Sequence, residues 1–178
     1  MIQKKICMVG AFGVGKTSLV ARFVHSLFSE KYQTTIGVKI DKKVVTVNGQ
    51  EVTLMLWDLA GEDALTQVRP THLRGASGYI LVVDGCRKST LDTAISLQQR
   101  AEEASGKVPF VVVANKGDLR DSWEIKDEDL SQCFSLGWPV VIASAKTGDA
   151  VEQLFYGLAS RMLEEEHGRG QSAGTAGQ

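Results

Sequence analysis

Apolar runs of strand length recur along the chain, separated by longer stretches in which apolar residues return every three or four positions. Residues 6–9, 78–84 and 108–114 are continuous apolar runs and predict buried strands, the first extending over 4–10. Leu19, Val20, Phe23, Val24 and Leu27 fall at helical spacing within 18–27. A second helix is predicted over 90–105, starting near Ser89. A third covers 150–163, with Val151, Leu154, Phe155, Leu158 and Met162 on its inner face. Residues 38–47 and 51–58 are rich in β-branched residues, and Asn48-Gly49 between them predicts a tight antiparallel hairpin. In its second arm Val52, Leu54 and Leu56 alternate with Thr53, Met55 and Trp57, so both faces are largely apolar and the strand belongs inside a sheet. A short helix through Cys133 and Phe134 follows the polar segment 118–129, and 140–143 is the last strand. Strands alternating with helices predict a mostly parallel sheet wrapped by helices, plus one antiparallel hairpin strand. Two aperiodic stretches, 29–37 and 59–77, read as loops. The second is long enough to be functional, with part of it helical. No internal repeat is present. One folded domain is expected over 1–166. From Glu164 on, an acidic triplet gives way to Gly, Ser, Ala and Gln, so 167–178 is expected to be a disordered tail.

Composition narrows the picture little. The 178 residues suit one domain with a sizeable core, and 20 Lys+Arg against 21 Asp+Glu argue against a nucleic-acid partner. Cys7, Cys86 and Cys133 are odd in number and scattered, which fits core or surface positions in a reducing compartment rather than a disulfide framework. No apolar run reaches membrane-span length and the first residues lack a signal-peptide pattern, so a soluble, cytoplasmic protein is expected.

The chemistry is concentrated in loops that follow strands. Gly10-Ala11-Phe12-Gly13-Val14-Gly15-Lys16-Thr17 joins the first strand to the first helix. In that setting G-x-x-x-x-G-K-[ST] lets the backbone curl so that the N–H groups of Phe12 to Ser18 face one anion at a positive helix end. Lys16 reaches the outer phosphates and the Thr17 hydroxyl ligates Mg²⁺. Asp58-Leu59-Ala60-Gly61 places a carboxylate for Mg²⁺, directly or through water, and a glycine whose N–H can approach a terminal phosphate. Thr34-Thr35-Ile36-Gly37 offers a further hydroxyl for the metal, in a loop that can order around a triphosphate. In Asn115-Lys116-Gly117-Asp118 the aspartate accepts only, and so selects guanine, which presents two parallel donors where adenine has none. Lys116 can lay its stem along the purine. Ser144-Ala145-Lys146 offers a backbone N–H to the guanine carbonyl, and Phe28 can cover the base edgewise.

Together these stretches resemble the five guanine-nucleotide motifs of the Ras superfamily, in order and spacing, over about residues 4–165. The segments 32–38 and 56–62 are most similar to the Rab branch. The resemblance implies an α/β fold of the P-loop NTPase type: a six-stranded, mostly parallel sheet with one antiparallel strand and five helices on both faces. Two switch loops would lie near 29–39 and 59–76. It further implies that Thr17 and Thr35 ligate Mg²⁺, that Asp58 holds it through water, and that Gly61 touches the γ-phosphate. Asn115 would tie the phosphate loop to the base loops, and Asp118 would read the base.

Three departures stand out. Glu62 occupies the place where the family usually has the glutamine that orients the attacking water. A carboxylate has no N–H to give and would be repelled by the γ-phosphate, so hydrolysis no faster than the ~10⁻⁴ s⁻¹ scale of unassisted Ras is expected. The rival is Glu62 acting as acid or base. Phe12 replaces a small residue and either crowds the path of a partner's arginine or packs on the second switch loop; Arg69 and Arg74 could supply charge in cis, but solvated or structural roles are expected of them. No cysteine follows Cys133 and position 2 is not glycine, so no intrinsic lipid anchor is expected. The expected activity is GTP hydrolysis to GDP and phosphate with Mg²⁺, through Lys16, Glu62, Thr35 and Gly61. Effectors, exchange factors or activating proteins would engage the switch loops, with Ile36, Val38, Trp57 and Leu65 as candidate contacts. The alternative is an interaction protein that stays GTP-bound. An ATPase or nucleotide kinase is disfavoured by Asp118.

Overall fold

The computed structural model describes residues 1–63 and 67–173, with side chains to residue 168. Six strands form one sheet in the order β2-β3-β1-β4-β5-β6. They are β1 (Ile2–Gly10), β2 (Val38–Val47), β3 (Gln50–Leu59), β4 (Gly78–Asp84), β5 (Phe110–Asn115) and β6 (Val140–Ile142). The hairpin β2·β3 is antiparallel and every other pairing is parallel, as its alternating pattern and the continuous apolar runs of β4 and β5 predict. Asn48 and Gly49 take the positive φ that the two-residue turn requires.

Among the described residues five α-helices pack on the two faces: α1 (Lys16–His25), α2 (Pro70–Leu73), α3 (Ser89–Ser105), α4 (Asp127–Ser135) and α5 (Val151–Ala173). The period-2 alternation of each strand divides the core. Ile6 and Met8 of β1, Val52, Leu54 and Leu56 of β3 and Ile80 and Val82 of β4 face α1 and α5, where Phe23 and Phe155 stack at 4.1 Å. Cys7, Val9, Tyr79, Leu81 and Val83 face the opposite layer, with Leu91, Ala94 and Leu97 of α3. This is the six-stranded phosphate-loop fold with helices on both faces, and all five strands that run parallel to one another end on the same edge.

Two expectations are corrected. Helix α1 stops at His25 because Ser26 turns into the left-handed region (φ 55), so Leu27 lies outside the helix and is 64% exposed. Residues 164–173, expected to be unstructured from 167, continue α5 to Ala173. Their sequence offers little to bury, but the extension starts from one long-range pair, Lys4 with Glu166 at 2.6 Å, and two bonds within the helix, Ser160 with Glu164 at 3.0 Å and His167 Nδ1 with Leu163 O at 2.7 Å. The last five residues of the expected tail, 174–178, lie outside the described residues, as does Leu65.

Candidate nucleotide and metal site

The carboxyl ends of β1, β3, β4, β5 and β6 gather on one edge of the sheet, and a cavity of about 390 Å³ opens there. It is lined by Phe12, Gly13, Gly15, Lys16, Thr17 and Ser18 of the phosphate loop, by Phe28, Tyr32 and Thr35 of the first switch segment, and by Gly61. Its far end is formed by Asn115, Lys116, Asp118, Ala145 and Lys146. The sequence-derived site residues are thus brought together, except that Val14, Asp58, Glu62 and Ser144 lie behind the lining.

At the phosphate end Gly15 adopts φ +100, and a Cβ there would stand 2.2 Å from Asn115 Nδ2. Only glycine lets Asn115 come so close. Its Nδ2 donates to Val14 O at 3.0 Å and its Oδ1 accepts from the Ala145 amide at 3.2 Å, so one side chain joins the phosphate loop to both base loops. Lys16 Nζ donates to Gly10 O at 3.3 Å and Ala11 O at 3.0 Å. Burial, opposed by Asp58 and reinforced by Arg87, lowers its pKa from 10.5 to about 8. This buried ammonium is hydrogen-bonded only to carbonyls, with Asp58 acting on it at a distance rather than as an ion-pair partner, which suits an anion site.

Beside it three oxygens converge. Thr17 Oγ1 donates to Asp58 Oδ2 at 2.6 Å and stands 2.7 Å from Thr35 Oγ1, while Thr35 Oγ1 donates to the same Oδ2 at 3.2 Å. Burial raises the Asp58 pKa despite the two hydroxyls and Lys16, and Asp58 Oδ1 is buried with no hydrogen-bond partner. An orphaned carboxylate oxygen next to two hydroxyls fits a hard divalent cation such as Mg²⁺, which takes oxygen ligands and keeps several waters.

At the base end Asp118 is exposed to the cavity. Its Oδ1 accepts from Ser144 Oγ at 2.7 Å. Arg22 of α1, which the sequence reading missed, pins the 145–146 loop by donating from Nε to Ala145 O at 2.8 Å and from Nη2 to Lys146 O. Lys116, at φ 65, sends Nζ 2.7 Å to Asp84 Oδ2, so its charge is anchored while its stem borders the cavity. Phe28 is half-buried and packs against the α1/α5 core as well as lining the cavity.

The departures find definite places. Glu62 is bonded through its backbone to the phosphate loop, N–H to Gly10 O at 3.0 Å and O from Phe12 N at 2.9 Å. Its carboxylate turns away toward α3, where Arg100 Nη2 donates to both oxygens and the Val68 amide donates at 3.2 Å. Phe12 packs on Tyr32 of the first switch segment, rings 5.3 Å apart and tilted by 59°, and not on the second switch loop, which was one of the two alternatives left open by the sequence. The second loop is engaged through the Phe12 backbone, which leaves the ring the other way to face. Arg69 precedes α2 and Arg74 lends its carbonyl to Lys5 Nζ at 2.8 Å. The arginine that does reach the phosphate loop is Arg87, for which the only sequence signal was an acidic residue, Asp84, ending a central strand. Of the candidate contacts Ile36 is 91% exposed, whereas Val38 and Trp57 pack against the α3 side of the core.

A glycine-rich loop between the first strand and helix, a lysine inside it, and an acceptor-only carboxylate at the base end define a phosphate-loop nucleotide-binding protein. Comparison with known sequences makes the class narrower. The sequence model of the Ras family matches residues 5–164. Ras-related protein SEC4 of Saccharomyces cerevisiae is 34% identical over 162 residues, covering 90% of this chain and 75% of its own. Ras-related protein Rab-30 of Homo sapiens is 37% identical over 165 residues, with 90% and 80% covered, and Ras-related protein Rab-18 of Lymnaea stagnalis 35% over 162, with 90% and 80%. The chain belongs to the Ras family and is Rab-like, a GTP-binding switch on the P-loop fold. Among the described residues, no helix is long and apolar enough to cross a membrane.

Proposed function

We propose that the chain is a switch that binds GTP with Mg²⁺ and hydrolyses it slowly to GDP and phosphate. The convergence of Thr17, Thr35 and Asp58 carries the switch. Thr35 comes from the loop after α1, so a cation bound to its hydroxyl and to the terminal phosphate would tie that loop down, and cleavage would release it. Mg²⁺ would supply charge neutralisation on the outer phosphates. Lys16 and the Phe12 to Ser18 amides would hold the phosphate chain, Asp118 the guanine edge, and Gly61 would approach the γ-phosphate. Effectors and regulators would read the switch loops, with Ile36 as the most exposed apolar contact.

Slowness follows from Glu62. Its carboxylate points to Arg100 and has no N–H to offer the transferring group, so neither usual task of a water-orienting amide is performed from that position. The same observation supports a second reading, an interaction protein that remains GTP-bound. Single-turnover hydrolysis of preloaded GTP decides between them. Turnover at or below about 10⁻⁴ s⁻¹ by the parent, raised in Glu62→Gln, supports the slow GTPase. No turnover over two days supports the GTP-bound binder. A slower Glu62→Gln would make the carboxylate itself an acid or base.

A further inference from the structure

Arg87 has no part in the site as built so far, yet it reaches from the β4–α3 connection back onto the phosphate loop. Its Nη2 donates to Phe12 O at 2.7 Å and its Nε to Asp84 Oδ2 at 3.0 Å. Asp84 is 1% exposed and also accepts from the Cys86 amide at 2.9 Å and from Lys116 Nζ at 2.7 Å. Burial alone would raise the Asp84 pKa, but Lys116, Arg87 and the Cys86 amide hold it below its ordinary value. The arginine is therefore oriented by a fixed, ionised carboxylate. Those two bonds use two of the five donors of the guanidinium fork.

Gly13 sets what that fork can see. A Cβ on Gly13 would stand 3.4 Å from Arg87 Nη2 and 3.6 Å from Tyr32 Oη. Gly13 and Tyr32 both line the cavity. Arg87 does not itself line the cavity, but its Nη2 stands beside Gly13, which does. Phe12 and Tyr32, which both line the cavity, pack their rings against each other beside Gly13.

We propose that Arg87 is a phosphate-binding arginine supplied in cis: oriented by Asp84, its guanidinium donates to the phosphate chain beside Gly13 and stabilises the charge that gathers there as the γ-phosphoryl group leaves. This rests on the GTPase reading above. It also gives the chain an internal source of the charge that other switches take from a partner, while Glu62 leaves the attacking water unassisted.

The test compares parent, Arg87→Ala and Arg87→Lys by GDP titration, by assembly of a complex of GDP with aluminium fluoride and no second protein, and by single-turnover GTP hydrolysis. The fluoride complex imitates the planar phosphoryl group in transfer and reports charge stabilisation without turnover. The parent assembles it. Both variants lose it and hydrolyse GTP roughly tenfold or more slowly, with GDP affinity altered less than about threefold. Arg87→Lys carries the test if Arg87→Ala does not fold, because a lysine cannot span Asp84 and a phosphate at once. A parent that binds GDP but forms no fluoride complex overturns the proposal, as does an Arg87→Lys protein matching the parent in complex assembly and hydrolysis. A parent that binds no guanine nucleotide at all overturns the GTPase reading itself, which the titration shows separately.

Discussion

Both carboxylate oxygens of Glu62 are held by the Arg100 guanidinium, which joins the segment after β3 to the middle of α3 across 38 positions of sequence. The pair is half shielded, with Glu62 17% and Arg100 33% exposed, and it also takes the Val68 amide. Its worth is that of a partly screened, bidentate pair, about 1 kcal/mol. Arg100→Ala should therefore cost little global stability but free the carboxylate and the Val68 amide. Hydrogen exchange at Val68 should speed up by about tenfold or less, the kinetic equivalent of that energy. An unchanged Val68 amide in Arg100→Ala would show that the pair does not hold this segment.

Much of this site was legible in the sequence, and the reason is physical. Backbone-shaping residues act locally, so the glycines and Lys16-Thr17 after an apolar run specify an anion loop before any packing is known. Asp118 is equally readable, because an acceptor-only side chain at a strand end has a defined set of partners. Arg87, Arg100 and Arg22 were not legible. Each acts through a contact 75, 38 or 123 positions away in sequence, and long flexible cations carry no periodicity that marks them. The direction of Phe12 was left open for the same reason: it depends on which of two loops already holds its backbone. The fold itself followed from apolar runs and the Asn48-Gly49 turn, whereas the end of α5 depended on Lys4 from the other end of the domain.

Asp118 carries the choice of base in this reading. With one oxygen oriented by Ser144, it can accept from both guanine donors, and hydrogen bonds to a charged acceptor are worth about 1.5–3 kcal/mol each. Asp118→Ala should weaken GDP binding by about a hundredfold or more and abolish discrimination against ADP. Ser144→Ala should have a smaller effect in the same direction, since it removes only the orienting bond. Competition titrations with GDP and ADP check both. An Asp118→Ala protein that still prefers GDP over ADP would place base recognition elsewhere.

Alkaline stability should depend on Cys7. Burial pushes its thiol from 9.0 up to about 12, against a weak opposing effect of Lys5, and its Sγ lies 3.5 Å from His72 O. Between those two values the folded state holds a proton that the unfolded state has released, so stability falls as pH rises, and below pH 9 the group contributes no slope. At pH 10 the loss is about 1 kcal/mol, from one unit above the unfolded value. Tyr79, also raised by burial to about 12, adds in the same direction above pH 10. Urea unfolding at pH 8 and pH 10 should show a larger drop for the parent than for Cys7→Ala. Equal drops would mean that the thiol ionises freely in the folded protein.

In the proposed switch a metal would couple the nucleotide to the first switch segment, and its removal should uncouple them. Asp58 Oδ2 accepts two hydroxyl hydrogen bonds, from Thr17 and Thr35. A divalent ion would take the hydroxyl oxygens as ligands, turn those bonds into a supporting shell, and give the orphaned Oδ1 a bound water to accept from. Asp58→Asn keeps the shape but removes the charge and one acceptor, so Mg²⁺ affinity in the GDP complex should fall by roughly 10- to 100-fold, the usual cost of losing an outer-shell partner. Thr35→Ala should leave the GDP-bound form nearly unaffected and weaken Mg²⁺ only with a non-hydrolysable GTP analogue, because the proposed tie between that loop and the metal needs the terminal phosphate. Mg²⁺ titrations of GDP and analogue complexes, read by nucleotide release rates, separate the two. Equal sensitivity of both complexes to Thr35→Ala would mean that the loop is held by Thr17 and Asp58 alone and does not report on the γ-phosphate.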